Sequence, residues 1–180
     1  FGDKKDSTRI TVKDDPRLNT PLGTVEARYT MLRDLDGLTT VVTTATDRLR
    51  ESKDIAEELE NKMKAAKRDD LKDALDKTKA AKDSINAVFD FILGKDDKRQ
   101  GILFDYTTPV SYINKAASYI GSSRKPVNAT DQRVYKQAQD QVGFIVERVN
   151  KFYATTWQAY RNAVEKVSIS PFKNYEPLKK

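Results

Sequence analysis

The chain has 180 residues, 38% of them hydrophobic and 33% charged, with a net charge of +6 and neither Cys nor His. That length suits one ordinary domain, or one domain with a remnant of another. Without Cys and His, disulfides, thiolate and imidazole metal sites, Ser-His-Asp catalysis and the Glu-x-x-His di-iron bundle cannot be assembled from this chain alone, which leaves carboxylate or Lys chemistry, or none.

The sequence opens at Phe1 without an initiator Met, as an excised fragment or processed product would. No 18-residue apolar run occurs, so no membrane insertion is expected. Thr8-Arg9-Ile10-Thr11-Val12-Lys13 alternates apolar and polar at period two until Asp14-Asp15-Pro16 stops it, because the residue before Pro is pushed out of the helical region. This reads as a single short strand. No second strand pattern follows, so residues 1–18 are expected to be the terminal strand and linker of a preceding β domain, or else a disordered leader.

Residues 19–180 read as a helical bundle. Thr20-Pro21 supplies a cap and a first-turn proline. From there Val25, Tyr29, Leu32, Leu35, Leu38, Val42, Ala45, Leu49, Ser52, Ala56, Leu59, Met63 and Ala66 recur at steps of three and four. Gly37 and the β-branched run Thr39 to Thr46 weaken the pattern without breaking its phase, and a kink near Gly37 is expected. A second seam, Leu71, Ala74, Thr78, Ala81, Ile85, Val88 and Ile92, is slipped by one residue. A turn near Lys67 to Asp70 accounts for the slip and is favoured over one continuous helix. Gly94 is the expected C-cap, followed by a charged loop from Lys95 to Gly101.

A third helix, Thr108 to Ile120, carries Pro109 in its first turn and Val110, Ile113, Ala117 and Ile120 on one face, with Gly121 closing it. Asn128 and Asp131 form a capping-box-like pair opening a fourth helix that runs to near Val167. Its inward face is Val134, Ala138, Val142, Ile145, Val149, Phe152, Thr156, Tyr160, Ala163 and Val167. Pro171 ends the periodicity and leaves an aromatic tail with Phe172 and Tyr175. The fold class is therefore all-α: an elongated antiparallel bundle of three to four long helices with a short N-terminal strand remnant. Helix lengths fit two long rods flanking a broken third, or a four-helix arrangement with a short third member.

The acidic clusters Glu57-Glu58-Glu60, Asp69-Asp70-Asp73-Asp76 and Asp96-Asp97 are the only groupings that suggest acid-base or metal chemistry. A working pair needs one desolvated member, and these lie in the most charged stretches. Lys98 spoils an EF-hand reading of the loop from Asp96. No catalytic, cofactor-binding or metal residue is assigned, and no cofactor is expected. Residues 129–180 hold nine basic and five acidic side chains. Arg133, Lys136, Arg148, Lys151, Arg161 and Lys166 lie on the outer arc of helix four, but Asp140, Glu147 and Glu165 share it. The arc reads as a solvated face, with nucleic-acid binding a minor alternative that is not retained among the partners.

Twelve of the 16 aromatics follow residue 100. Most, Trp157 and Tyr160 among them, are expected to anchor the core. Exposed rings could stack on a sugar or a peptide, and the candidates for ligand or partner contact are Tyr106, Tyr112, Trp157, Phe172 and Tyr175.

Four segments carry a family resemblance: Asp15-Pro16-Arg17-Leu18 after the strand, Glu26-Ala27-Arg28 in the long helix, Tyr119-Ile120-Gly121-Ser122-Ser123, and Phe172 with Tyr175-Glu176-Pro177-Leu178. In this order the chain resembles the C-terminal region of exported bacterial proteins with a sortilin/VPS10-like propeller of sialidase-type (BNR) repeats, often labelled glycosyl hydrolases. The resemblance implies that the first residues are the last strand of a β-sandwich-like linker. It implies a terminal accessory module, extracytoplasmic, with any hydrolase activity in the propeller. The expected function is a non-catalytic structural or interaction module that contacts its parent's preceding domains, or a protein or glycan partner. The alternative is a carbohydrate-binding accessory module using the aromatics of the second half.

Overall fold

Seven of the long seam's positions, Leu35, Val42, Ala45, Leu49, Ser52, Ala56 and Met63, lie buried along one side of a single helix, α1 (Thr24–Ala66), in the computed structural model. The structure describes residues 5–13, 15–18, 20–21, 23–95 and 105–168. At 1.5 Å per residue, α1 is about 65 Å long, and it runs unbroken through Gly37. The threonine run is helical because its inward positions Val42, Ala45 and Thr46 are buried against the bundle, and tertiary packing overrides weak helix propensity. The hydroxyls are satisfied locally: Thr39, Thr40 and Thr44 donate to the carbonyls of Leu35, Asp36 and Thr40, four residues back.

The start of α1 differs from expectation. Gly23, at φ 79°, makes a left-handed turn in which the Thr24 N–H donates to the Pro21 carbonyl, so Thr20 and Pro21 stay outside the helix. Thr24 and Arg28 face inward there, and Val25 and Tyr29 are exposed. The seam is out of phase by one residue at this end because Arg28, not an apolar side chain, is the group that the neighbouring elements bind.

The turn after α1 is a hairpin. Lys67 takes the left-handed conformation (φ 49°) that glycine usually supplies, and a short 3₁₀ turn, Asp69–Leu71, leads into α2 (Lys72–Leu93). All seven predicted inward positions of α2 are buried. Gly94, at φ 91°, ends it, donating its N–H to the Asp90 carbonyl. α3 (Pro109–Ser122) is capped by the Thr108 hydroxyl and continues past Gly121. The last rod is α4 (Ala129–Phe152), one π-helical turn (Tyr153–Trp157) and α5 (Gln158–Glu165).

Side-chain contacts fix the directions. Lys82 pairs with Glu60 at 2.7 Å and Lys53 with Asn86 at 3.2 Å, so α2 runs antiparallel to α1. Gly94 lies against Thr108 while Ile120 meets Arg28, so α3 carries on in the direction of α2. Arg28 meets Asp131, Ser52 meets Tyr153 and Arg68 meets the Ser168 carbonyl, so the last rod runs parallel to α1. The molecule is thus an all-α, elongated bundle of two long rods and a broken third that opposes both.

The main core cluster joins Leu35, Leu49, Ile85, Ile92, Ile113, Ile120, Val142 and Ile145 with their neighbours where all these helices meet. Two small clusters, Ala56-Ala81-Tyr160 and Met63-Leu71-Ala74, fill the hairpin end. Thr8 to Lys13 forms no strand. Ile10 and Val12 are 80% and 91% exposed, and no strand is present among the described residues to complete a ladder.

The π turn was invisible in the sequence. Phe152 and Tyr160 are eight residues apart and would diverge by about 80° on an ideal α-helix. One extra residue in the turn reduces that to about 20°, and both rings are buried.

Candidate functional site

The outer face of α3 carries two tyrosines, Tyr112 and Tyr119. Its inner face, Ile113, Ala116 and Ile120, is buried against the bundle, so the intervening Tyr112, Lys115 and Tyr119 point away from the core. Tyr112 and Tyr119 are seven residues apart, two helical turns or about 10.5 Å along the axis, and so share a face. Tyr106 comes from the loop that enters α3. That loop is held by Asp105, whose carboxylate accepts the Thr107 N–H at 2.8 Å and whose carbonyl accepts the Ser111 hydroxyl. The hydrogen bonds from Thr107, first its hydroxyl and then its N–H, hold the Asp105 carboxyl below the usual carboxylate range. The three tyrosines line a hollow of about 540 Å³ together with Ser111, Asn114 and Ser118.

Two further hollows adjoin it. One of about 600 Å³ lies over α4 and shares Tyr112 with the first; Gln137, Gln141 and Phe144 are in its wall. The next, of about 570 Å³, lies between α2 and the last rod and shares Phe144 and Glu147 with the second. Phe91 forms part of its wall, with the Arg148 guanidinium 4.7 Å from the ring centroid. Its far end is Thr155 and Thr156, within the π turn.

Of the candidate contact residues that the structure describes, Tyr106 and Tyr112 share a hollow and Trp157 lies apart from it. Tyr106 is 78% exposed and Tyr112 half-buried, in the same hollow. Trp157 packs inward, its ring 5.0 Å from that of Tyr160 and 6.1 Å from that of Phe152. Phe172 and Tyr175 lie outside the described residues. Sequence reasoning passed over Tyr119 and Phe144 as ligand contacts; they are 51% and 53% exposed. The signal available for Tyr119 was its seven-residue spacing from Tyr112. Phe144 follows Val142 by two positions, which sets it off the inward stripe.

The basic arc of the last rod is partly engaged within the chain. Lys136 pairs with Asp140 and Arg161 with Glu165, while Arg148 covers Phe91. Among the carboxylates, Asp15, Glu58, Glu60, Asp70 and Asp105 are each displaced downward. Glu60 is held low by the Lys64 and Lys82 ammonium groups. That direction keeps a carboxylate ionised and opposes a proton-donor role. Among the described residues, no three His, Cys, Asp or Glu side chains gather as a metal site, and no helix is long and apolar enough to cross a membrane.

One buried polar site is structural. The Arg28 guanidinium donates to the carbonyls of Ile120 (2.8 Å), Lys125 (2.6 Å) and Pro126 (3.3 Å) and to the Asp131 carboxylate (2.9 Å). Asp131 also accepts the Asn128 N–H, and Asn128 in turn caps α4 through the Thr130 and Asp131 N–H groups. Arg28 thereby ties the start of α1 to the end of α3, the connecting loop and the start of α4. With four of its five donors occupied from inside, it offers little to a ligand. No protein-family model, curated protein or solved structure matches this chain.

Proposed function

We propose that this chain is a non-catalytic structural and interaction module, the terminal part of an exported propeller protein. The observation that carries the reading is the division of labour between the two faces of each rod. The inward stripes are closed against one another along the bundle, and the displaced carboxylates, Glu60 partly buried between Lys64 and Lys82 and the others nearer the surface, are all shifted toward the ionised form. A hydrolytic centre requires the reverse, a carboxyl kept protonated by an apolar wall. The test is product analysis after the chain is incubated with soluble polysaccharides and aryl glycosides: no new reducing ends and no released phenol are expected. Turnover that Glu60→Gln abolishes would overturn the proposal. The propeller parent and its extracytoplasmic location rest on the sequence resemblance. Sialidase-type repeats encoded upstream of Phe1 would support them, and a start codon immediately before Phe1 would refute them.

A second reading, carbohydrate binding, is favoured by the hollow of Tyr106, Tyr112 and Tyr119. Rings beside hydroxyl, amide and ammonium groups match a sugar's C–H faces and hydroxyl edges. Slowed migration of the chain in native gels containing a neutral soluble polysaccharide, reversed by Tyr119→Ala, would support it.

A further inference from the structure

Neighbouring hollows share wall residues, and we infer that the three together form one track for an extended, uncharged polysaccharide chain. The inference rests on the carbohydrate reading and gives it a substrate class. Tyr112 is common to the first and second hollows, and Phe144 and Glu147 to the second and third. Rings therefore recur from Tyr119 through Tyr112 and Phe144 to Phe91. From Gln137 to Thr156 the track follows 19 residues of the last rod, about 28 Å. A mono- or disaccharide fills only one hollow, whereas a longer chain meets each ring in turn.

The side chains between the rings decide the class of chain. Hydroxyls and amides predominate, among them Ser118, Asn114, Gln137, Gln141, Ser84 and Thr156. Such groups both donate and accept hydrogen bonds, as sugar hydroxyls do. The charged groups alternate in sign: Lys115, then Asp140 and Glu147, then Arg148 and Lys151. Asp140 is held by Lys136, and Arg148 covers Phe91. Interspersed signs set up no field to draw in a polyanion. A peptide adding as a β-strand would need a row of free backbone partners, and the helices bordering the track have theirs already paired. The far end of the track coincides with the π turn, a local widening that recurs at binding sites.

The experiment is titration of the 180-residue chain with cellohexaose, xylohexaose and chitohexaose and with the matching disaccharides, followed by amide chemical shifts and calorimetry. At least one hexasaccharide is expected to bind about tenfold or more tightly than its disaccharide, since each added stacked ring contributes a step of that order. Shifts should run from α3 to the π turn. Phe144→Ala should weaken the hexasaccharide about fivefold or more and leave the disaccharide unchanged, while Tyr119→Ala weakens both. Equal affinity for the two lengths, or an unaltered hexasaccharide affinity in Phe144→Ala, would overturn the track and leave single-hollow sugar binding standing. If no sugar binds at millimolar concentration, the track and the carbohydrate reading fall together, as they do if only a proline-rich peptide shifts these amides. The non-catalytic module would then remain.

Discussion

The two ends of the bundle close the same apolar seam by opposite means. At the end where α1 begins, the seam is interrupted by a charge: Arg28 and Asp131 are 5% and 2% exposed and hold α1, α3 and α4 together through oriented hydrogen bonds. At the hairpin end the rods meet through small side chains, Ala56, Ala81 and Ala74, with Tyr160 and Met63 filling what the alanines leave. A polar pin fixes geometry and register; an alanine contact fixes distance. The first sits where a loop and three helix ends must be oriented, the second where three continuous rods only have to approach closely.

The largest effect is expected at the pin. Arg28→Met leaves the Asp131 carboxylate buried without its cation, and should cost about 3–5 kcal/mol in urea-unfolding measurements. Adding Asp131→Leu should recover part of that, short of the lost cap. A loss below about 1 kcal/mol for Arg28→Met alone would remove the contrast between the two ends, since breaking a buried pair is never that mild. Next is the small-residue end. Ala81 is fully buried beside Ala56 and Tyr160, and Ala81→Leu should cost about 1–3 kcal/mol by forcing the rods apart, read as a lowered thermal midpoint. If the leucine is accommodated at no cost, the alanine contact does not set the spacing.

A smaller change of opposite sign is expected in the hairpin turn. Lys67 occupies a left-handed conformation that costs a side-chain-bearing residue free energy, so Lys67→Gly should stabilise by about 0.5–1 kcal/mol. Circular-dichroism melts give the sign, and destabilisation would show that the lysine's own contacts outweigh its backbone conformation.

The smallest effects are pH-dependent and belong to the hairpin end. Burial pushes the Tyr160 hydroxyl up from its ordinary value of 10.0, with Thr78 opposing the shift and Glu60 adding to it. The folded state thus favours the neutral phenol. Its contribution is complete below the unfolded pKa and declines as pH climbs from about 10 through the raised value. Tyr160→Phe should flatten that alkaline decline with little change at neutral pH. Glu60 works in the other direction: its carboxyl is lowered from 4.5 by Lys64 and Lys82, so its contribution is present above that value and fades as pH falls through the lowered one. Denaturation profiles of Glu60→Gln against pH should show a shallower acid limb.

Much of the bundle was legible because the inward positions repeat with the helix period. All of α2's seam, from Leu71 to Ile92, and α4's from Val134 to Phe152 are buried as their spacing requires. The hairpin was legible from the one-residue slip and from the charges flanking it, even though Lys67 stands where a glycine is usual. Where legibility failed, a non-periodic interaction had taken over. Arg28 displaced Tyr29 from the interior because its partners come from residues 120 to 131, far along the chain. The π turn escaped notice because steps of four from Phe152 to Thr156 to Tyr160 look like an ordinary seam.

The tyrosine hollow was half legible. Aromatic enrichment after residue 100 pointed to the right part of the chain, and Tyr106, from the loop before α3, and Tyr112, on α3, line one hollow. Trp157 is half-buried against the core, since an indole one helical turn from Tyr160 gains more from packing than from exposure.

The sequence by itself determined which side chains turn inward, where the long helices run, and that no His or Cys chemistry is available, because periodicity and composition are local properties of a chain. Only the tertiary structure decided that α3 continues the line of α2, that a buried Arg28–Asp131 pair locks one end, and that residues of α2, α3 and the last rod share the walls of neighbouring hollows. Each of those depends on residues distant in sequence meeting in space, and no local pattern encodes which distant residue will be met.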